Sequence, residues 1–409
     1  MRKVKKILYI SYDGMTDPLG QSQVIPYLRE LTKKGYHFTI LSVEKKKRLQ
    51  ESGKQIRQLL TEMGIEWETL TFTARPLFLS KIYDQWKLSA TAARLQKQKN
   101  FNLIHCRSYV AAAAGLNLFC HYRTPFLFDM RGFWVDERVD SGHWNLRNPL
   151  YRLFYKMYKK KEKKYFLQSA HIVSLTQKGK EELINTYAVP AEKVTVIPCC
   201  ADLGHFNYQK ISEEEKQKVK KLLGLKDDSR VLSYLGSLGG WYMADEMLDF
   251  FIVLKKKIPN VKFLFITKDS REYITGKAKA RGISETDILV QPATRNEVPL
   301  FLSISNWSVF FIKDVYSKKA SSPTKQGEIM AMGIPLICND IGDTGRIVKE
   351  SGVGVVIETF DESGYEKLTT SMESLLLIDK ENIRQSAQKN YDLHHGAISY
   401  DKVYQQLVN

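Results

Sequence analysis

The stretch S-S-P-T-K-Q-G-E-I-M-A-M-G-I-P-L-I, Ser321 to Ile337, reads as a loop entering a helix over 325–332 and then a strand, PLICN, over 335–339. Upstream, WSVFFIK over 307–313 is a strand pattern, so the unit is strand–loop–helix–strand, the repeat of a parallel sheet. Pro323 suits the approach to a helix start, Ser322 and Thr324 are residue types that cap one, Gly333 ends the helix and Pro335 prevents its continuation. A helix start presents unpaired N–H groups and favours an anion, phosphate above all. Lys325 adds a full positive charge at that place. Glu328, about one turn on, offers a carboxylate to a ribose diol. The segment therefore reads as a diphosphate cradle with a ribose hook.

Working outward, the alternation continues in both directions. VLSYLGS (231–237), KFLFIT (262–267), DILVQP (287–292) and GVGVVIE (352–358) are strand patterns separated by helical spacing. The first half does the same with KKILYIS (5–11), HFTILSV (37–43), Trp67 to Phe72, FNLIHCRS (101–108), TPFLFDMRG (124–132), HIVSLT (171–176) and KVTVIP (193–198). CCADLGHFNY (199–208) breaks the pattern and reads as a linker. A chain of 409 residues exceeds what one core serves. The predicted class is α/β, with two Rossmann-like, doubly wound parallel-sheet domains facing a central cleft and ligands at the carboxyl ends of the strands. The expected boundaries are 1–200 and 201–390. A terminal helix lies within 391–409 and is expected to fold back onto the first domain.

The Ser321–Ile337 segment resembles the signature of glycosyltransferase family 4 and its relatives, the retaining GT-B enzymes, in which E-x7-E precedes A-x-G-x-P-[VL]-[IV]. The second Glu of that pattern, the ribose ligand, falls on Glu328. The first falls on Ala320 and is absent, and S-P-T-K stands in its place. The resemblance makes Ser322, Pro323, Thr324, Lys325 and Glu328 donor-site candidates. Y-D-G-M-T-D-P-L-G-Q-S-Q-V, Tyr12 to Val24, resembles the family's glycine-rich first loop, with Gly20 and Gln21 placed towards the donor. Y-L-G-S-L-G-G-W-Y, Tyr234 to Tyr242, stands where the family carries an Arg and a Lys on the diphosphate. Both are missing, which leaves Gly236, Gly239 and Gly240 for backbone contacts and Lys325 as the neutralising cation. Thr294 and Arg295, in P-A-T-R-N-E-V-P, stand where the family contacts the nucleobase.

On the acceptor side, D-M-R-G-F-W-V-D-E-R, Asp129 to Arg138, ends a parallel strand in a dense cluster of charge and aromatics. Asp129, Arg131 and Glu137 are the catalytic candidates beside Lys325, with the base left open between carboxylates. Arg107, Phe133, Trp134 and Asp136 are acceptor candidates, the two aromatics by stacking on sugar faces. His105 reads as a packing residue.

Charge divides unevenly. Residues 1–200 hold 34 Lys and Arg against 17 Asp and Glu, whereas residues 201–409 hold 28 of each. The whole excess of +17 therefore sits in the first half and implies an anionic partner. Seven of those cations lie in YRLFYKMYKKKEKKYFL (151–167), which reads as an interfacial helix. The partners expected are a nucleotide sugar, a glycan or lipid-linked acceptor and the anionic inner membrane surface, without nucleic acid. The donor is expected to be UDP- or GDP-linked. The absence of any D-x-D triplet and of metal-ligand spacing implies no metal and no further cofactor. Cys106, Cys120, Cys199, Cys200 and Cys338 show no zinc or redox spacing and fit reduced thiols in a cytoplasmic protein. The resemblance implies a retaining hexosyltransferase of cell-surface polysaccharide assembly. A nucleotide-sugar 2-epimerase on the same fold, or a nucleotide-sugar-binding protein without turnover, remains an alternative.

Overall fold

Lys5–Ser11 (β1) buries its last five residues in succession, the mark of a strand covered on both faces. The computed structural model describes residues 5–76 and 79–408. Among these, β1 pairs in parallel with Tyr36–Glu44 (β2) on one side and Leu103–Arg107 (β4) on the other. Glu66–Thr71 (β3), Phe126–Asp129 (β5), His171–Ser174 (β6) and Val194–Val196 (β7) complete a parallel sheet of order β3-β2-β1-β4-β5-β6-β7. The second sheet comprises Arg230–Leu235 (β8), Val261–Ile266 (β9), Ile288–Gln291 (β10), Trp307–Phe310 (β11), Leu336–Asn339 (β12) and Gly354–Ile357 (β13). Its order, β10-β9-β8-β11-β12-β13, repeats the first sheet's winding. Both are Rossmann-like sheets whose order reverses beside the first strand, and ligands bind outside the carboxyl ends there.

Two compact units result. One contains Met1–Pro198, Tyr316–Ser321 and Leu393–Asn409; the other contains Cys199–Val315 and Ser322–Asp392. Five of the six residues of the segment Tyr316–Ser321 form a short 3-10 turn, Tyr316–Ala320, that the sequence patterns do not announce. The helix Leu393–Leu407 is tied into the first unit by hydrogen bonds. Tyr36 donates to Asp401 at 2.8 Å, and the Tyr404 hydroxyl meets His105 Nδ1 at 2.6 Å.

Local chemistry changes two expected elements. Apolar residues recur at helical spacing through QSQVIPYLRELTKKG (21–35), the pattern of one helix, but the chain forms two, Pro18–Gln23 and Ile25–Thr32, with Val24 at φ −122° and ψ −64° between them. Pro26 has no N–H to continue the first helix and instead occupies the opening turn of the second. The strand expected over 124–132 ends already at Asp129, and beyond it the chain forms the helix Trp134–Asp140, whose first turn carries Asp136 and Glu137 at the end where a carboxylate is favourable.

Candidate functional site

In the second unit the signature helix is Thr324–Ala331, and Gly333 follows it at φ +66° as a left-handed stop. The expected capping does not occur. Pro323 occupies the cap position, with no side-chain hydrogen bond at the helix start. Thr324 is already inside the first turn. Ser322 is drawn away instead, its Oγ accepting the Cys199 N–H at 3.2 Å. No side-chain oxygen therefore covers this helix start, which suits an anion.

Lys325 is buried rather than projecting into solvent. Its Nζ lies 4.1 Å from the Tyr234 ring centre and 3.6 Å from that of Tyr242, and it donates to the Tyr234 hydroxyl at 2.9 Å. Burial is the largest influence on this amine and holds its pKa well below the usual lysine range, against the pull of Glu328 and Asp269. The loop after β8 passes directly over it. A Cβ on Gly236, which has φ +97°, would stand 3.3 Å from Lys325 Nζ. Asp269 fastens that loop by accepting from the Ser237 hydroxyl at 3.0 Å and the Leu238 N–H at 2.5 Å. Gly239 and Gly240 lie exposed on the same loop and help line a cavity of about 620 Å³ with Tyr242, Asp269 and Lys313.

Glu328 is largely buried, and Arg295 Nη1 stands 3.5 Å from its Oε1. Burial raises the Glu328 pKa, while Arg295 and Lys325 oppose the rise. Arg295, expected near a nucleobase, is thus brought to the ribose candidate. Thr294 is not: its N–H and hydroxyl are both committed to Glu297, at 2.8 and 2.6 Å. Tyr234, Tyr242 and Asp269 are the site residues that the sequence reading missed.

The first unit holds the other candidates. Glu44, fully buried at the end of β2, accepts from Met15 N–H at 2.7 Å and Thr16 N–H at 3.2 Å, and so shapes the loop after β1. Gly20 needs correction as a donor contact. It is buried, and a Cβ there would overlap the Gly14 carbonyl oxygen, so the missing side chain serves this unit's own packing. Gln21 is exposed and donates to the Thr16 carbonyl at 3.2 Å.

At the ends of β4 and β5 the backbone is strained. Ser108 (φ +66°) and Arg131 (φ +61°) are left-handed residues at strand ends, followed in the second case by Gly132 at +130°. Asp129 is buried between Arg107 Nη1 at 3.7 Å, Arg131 Nη1 at 3.6 Å and His105 Nε2 at 3.6 Å, and it accepts from the Tyr400 hydroxyl at 3.3 Å. Burial opposes its ionisation, yet Arg131, His105 and Arg107 together bring its pKa down to about 2. A carboxyl held that acidic is a poor proton acceptor, so Asp129 is corrected from candidate base to the anion that orients two arginines. Burial pushes the His105 pKa down, with Asp129 opposing. Arg107 is buried, with 4% of its side chain exposed, and among the described residues its Nε and Nη1 meet the geometric criteria for no hydrogen bond.

Phe133 is completely buried, its ring 5.2 Å from Tyr316, and Trp134 is packed among Tyr109, Trp144 and Tyr158. Stacking of Phe133 on a sugar is therefore ruled out by its lack of a free face. Asp136 is engaged by Tyr155 and Lys159, both at 2.8 Å. Glu137 keeps 39% of its side chain exposed and pairs with Lys318 at 3.3 Å. Ala320, where the family pattern has a Glu, is fully buried. A Cβ on Gly179 would lie 2.9 Å from its methyl, so Gly179 has no room for a side chain against Ala320.

Known proteins fit this arrangement. Residues 22–205 match the family model described as Glycosyltransferase Family 4, and residues 215–390 match that of Glycosyl transferases group 1. A D-inositol 3-phosphate glycosyltransferase from Jonesia denitrificans is 22% identical over 265 residues, 63% of this chain. The chain spans 60% of the length of that curated relative. A glycosyltransferase from Rickettsia africae superposes with a TM-score of 0.73 at 15% identity, over 99% of each chain. Anabaena HepE, solved with UDP and glucose, superposes with a TM-score of 0.69 at 14% identity, over 98% of this chain and 100% of its own. With two sheets of Rossmann order and two adjoining family matches that together span most of its length, the chain belongs to the family-4-like glycosyltransferases of GT-B architecture.

Proposed function

We propose that the protein transfers a sugar from a nucleoside-diphosphate sugar, held by its second unit, to a hydroxyl of a glycan or lipid-linked acceptor. The observation that carries this reading is the buried Lys325 under the Gly236 loop at an uncapped helix start, with Glu328 about one turn on. In the reaction the anomeric C–O bond to the diphosphate breaks and a new bond forms to the acceptor oxygen. Negative charge accumulates on the departing diphosphate. Lys325 and the helix amides stand ready to receive it, at little reorganisation cost. Glu328 and Arg295 form the pair that a ribose diol would enter, accepting from one and donating to the other. Arg107 and Arg131 orient the acceptor, and Glu137 is the more accessible carboxylate for the hydroxyl proton. Family resemblance adds retention of configuration, a hexosyl group, metal independence and a place in cell-surface polysaccharide assembly. Uridine is the first base to try, because HepE was solved with UDP.

A thermal-shift panel of nucleoside diphosphates and nucleotide sugars tests this. One base should raise the melting temperature, and Lys325→Ala should weaken that nucleotide by at least roughly tenfold, the scale of a lost charge-assisted contact. Equal affinity in the variant would remove the donor site from this helix. Incubation with the nucleotide sugar alone should leave it unchanged; a 2-epimer as product would favour the epimerase reading instead.

A further inference from the structure

The helix Pro149–Gln168 buries Glu162, Tyr165 and Phe166. Its opposite face ought to be polar. Instead Leu150, Leu153 and Met157, at i, i+3 and i+7, are 54%, 63% and 41% exposed. Exposed Arg152, Lys156 and Lys160 alternate with them. A second such group opens the helix Leu79–Lys99, where Ile82, Tyr83 and Trp86 are exposed. Tyr83 and Trp86 stack with ring centres 6.1 Å apart, and Lys87 Nζ lies 5.4 Å over Tyr83.

The two groups are linked by neighbouring side chains. Burial lowers the Lys81 pKa against the pull of Asp84, and the charge of Arg138 adds to the lowering. Arg138 lies 4.9 Å over Trp134, and Trp134 packs 5.6 Å from Tyr158 on the Pro149–Gln168 helix. Aliphatic and aromatic side chains flanked by lysine and arginine are the composition of a surface that enters the headgroup boundary of a bilayer. No helix among the described residues is long and apolar enough to cross one.

We propose that the first unit docks on an anionic lipid surface through Ile82, Tyr83 and Trp86 of one helix and Leu150, Leu153 and Met157 of the other, with the flanking cations meeting the headgroups. Charge selects the occupant. The first 200 residues carry 34 cations against 17 anions, so a second copy of the same face would be repelled, whereas anionic lipid is attracted. A nucleic acid would satisfy the cations but offers no apolar layer to Ile82, Leu150 or Leu153. The proposed function supplies the reason for docking, a lipid-linked acceptor, but the surface itself is read from its own side chains.

Flotation of the full-length protein with vesicles decides the matter. Binding to phosphatidylglycerol–phosphatidylcholine vesicles should exceed binding to pure phosphatidylcholine by at least roughly tenfold, and should fall as salt is raised. Trp86→Ser combined with Leu153→Ser should lower it at least roughly tenfold, while Leu377→Ser, at a still more exposed apolar residue of the second unit, leaves it unchanged. Wild-type binding by the double variant, or equal binding to neutral vesicles, would overturn the proposal. So would a double variant that merely converts a dimer to a monomer, or one that loses RNA binding and keeps vesicle binding. The nucleotide thermal shift, read on the same samples, separates the two ideas. Its loss with intact flotation counts against the donor site, and the converse counts against docking.

Discussion

Lys325 is an amine held between two aromatic rings. Burial lowers its pKa in the free protein, and a diphosphate that settles against it stabilises the charged form and raises that pKa again. Between the two values, binding must take up protons, and affinity must fall as pH rises. Calorimetric titration with the nucleotide in buffers of different ionisation heat measures the uptake. A binding heat independent of buffer, with affinity flat from neutral to alkaline pH, would show that this amine does not face the phosphates. The lysine and Glu328 were legible in the sequence because they share one short motif. Its aromatic partner was not, since Tyr234 lies 91 positions away and no local pattern joins the two. The same holds for Asp129. Its charge and position at a strand end marked it as functional, but only the structure shows the arginines and histidine that make it too acidic to serve as a base.

At the scale of elements, the loop after β8 depends on one backbone conformation. Gly236 has φ +97°, where a side chain is strained, and a Cβ would press on the lysine. Gly240, in the same loop, has open space around it. Gly236→Ala should therefore cost about 1 kcal/mol or more in stability and weaken nucleotide binding, whereas Gly240→Ala should alter neither. Chemical denaturation together with nucleotide titration compares the two, and equal behaviour would mean that the loop's shape is not set at Gly236. Strand existence was readable from runs such as Lys5–Ser11, because strands buried on both faces are continuously apolar. The interruption at Val24 and the helix Trp134–Asp140 were less readable: each is decided by a single proline or a favourable helix dipole within a short polar segment.

For the molecule as a whole, the alternation of strands and helices in each half was enough to give the fold class, because short right-handed crossovers leave few ways to wind a parallel sheet. What periodicity could not convey is which distant pieces complete the first unit. The helix Leu393–Leu407 supplies Tyr400 to Asp129 and Tyr404 to His105. Truncation after Asp392 should therefore cost the first unit more than about 4 kcal/mol, through lost aromatic burial and stranded polar groups. In scanning calorimetry the transition that nucleotide does not shift should move down sharply, while the nucleotide-responsive one stays. An unchanged first transition would assign that helix a lesser part.

The segment Tyr316–Ser321 extends this point. Thr176 donates to the Lys319 carbonyl, Ser317 N–H donates to Asp140, and Tyr316 donates to Glu182. Six residues encoded amid the second half of the sequence are thus structural parts of the first unit. A chimera that exchanged second halves between relatives at the obvious linker would import a foreign plug as well. It would recover a sound recipient half only if Asp140, Thr176 and Glu182 found matching partners in the graft, so specificity grafts in this protein are better cut on either side of that hexapeptide.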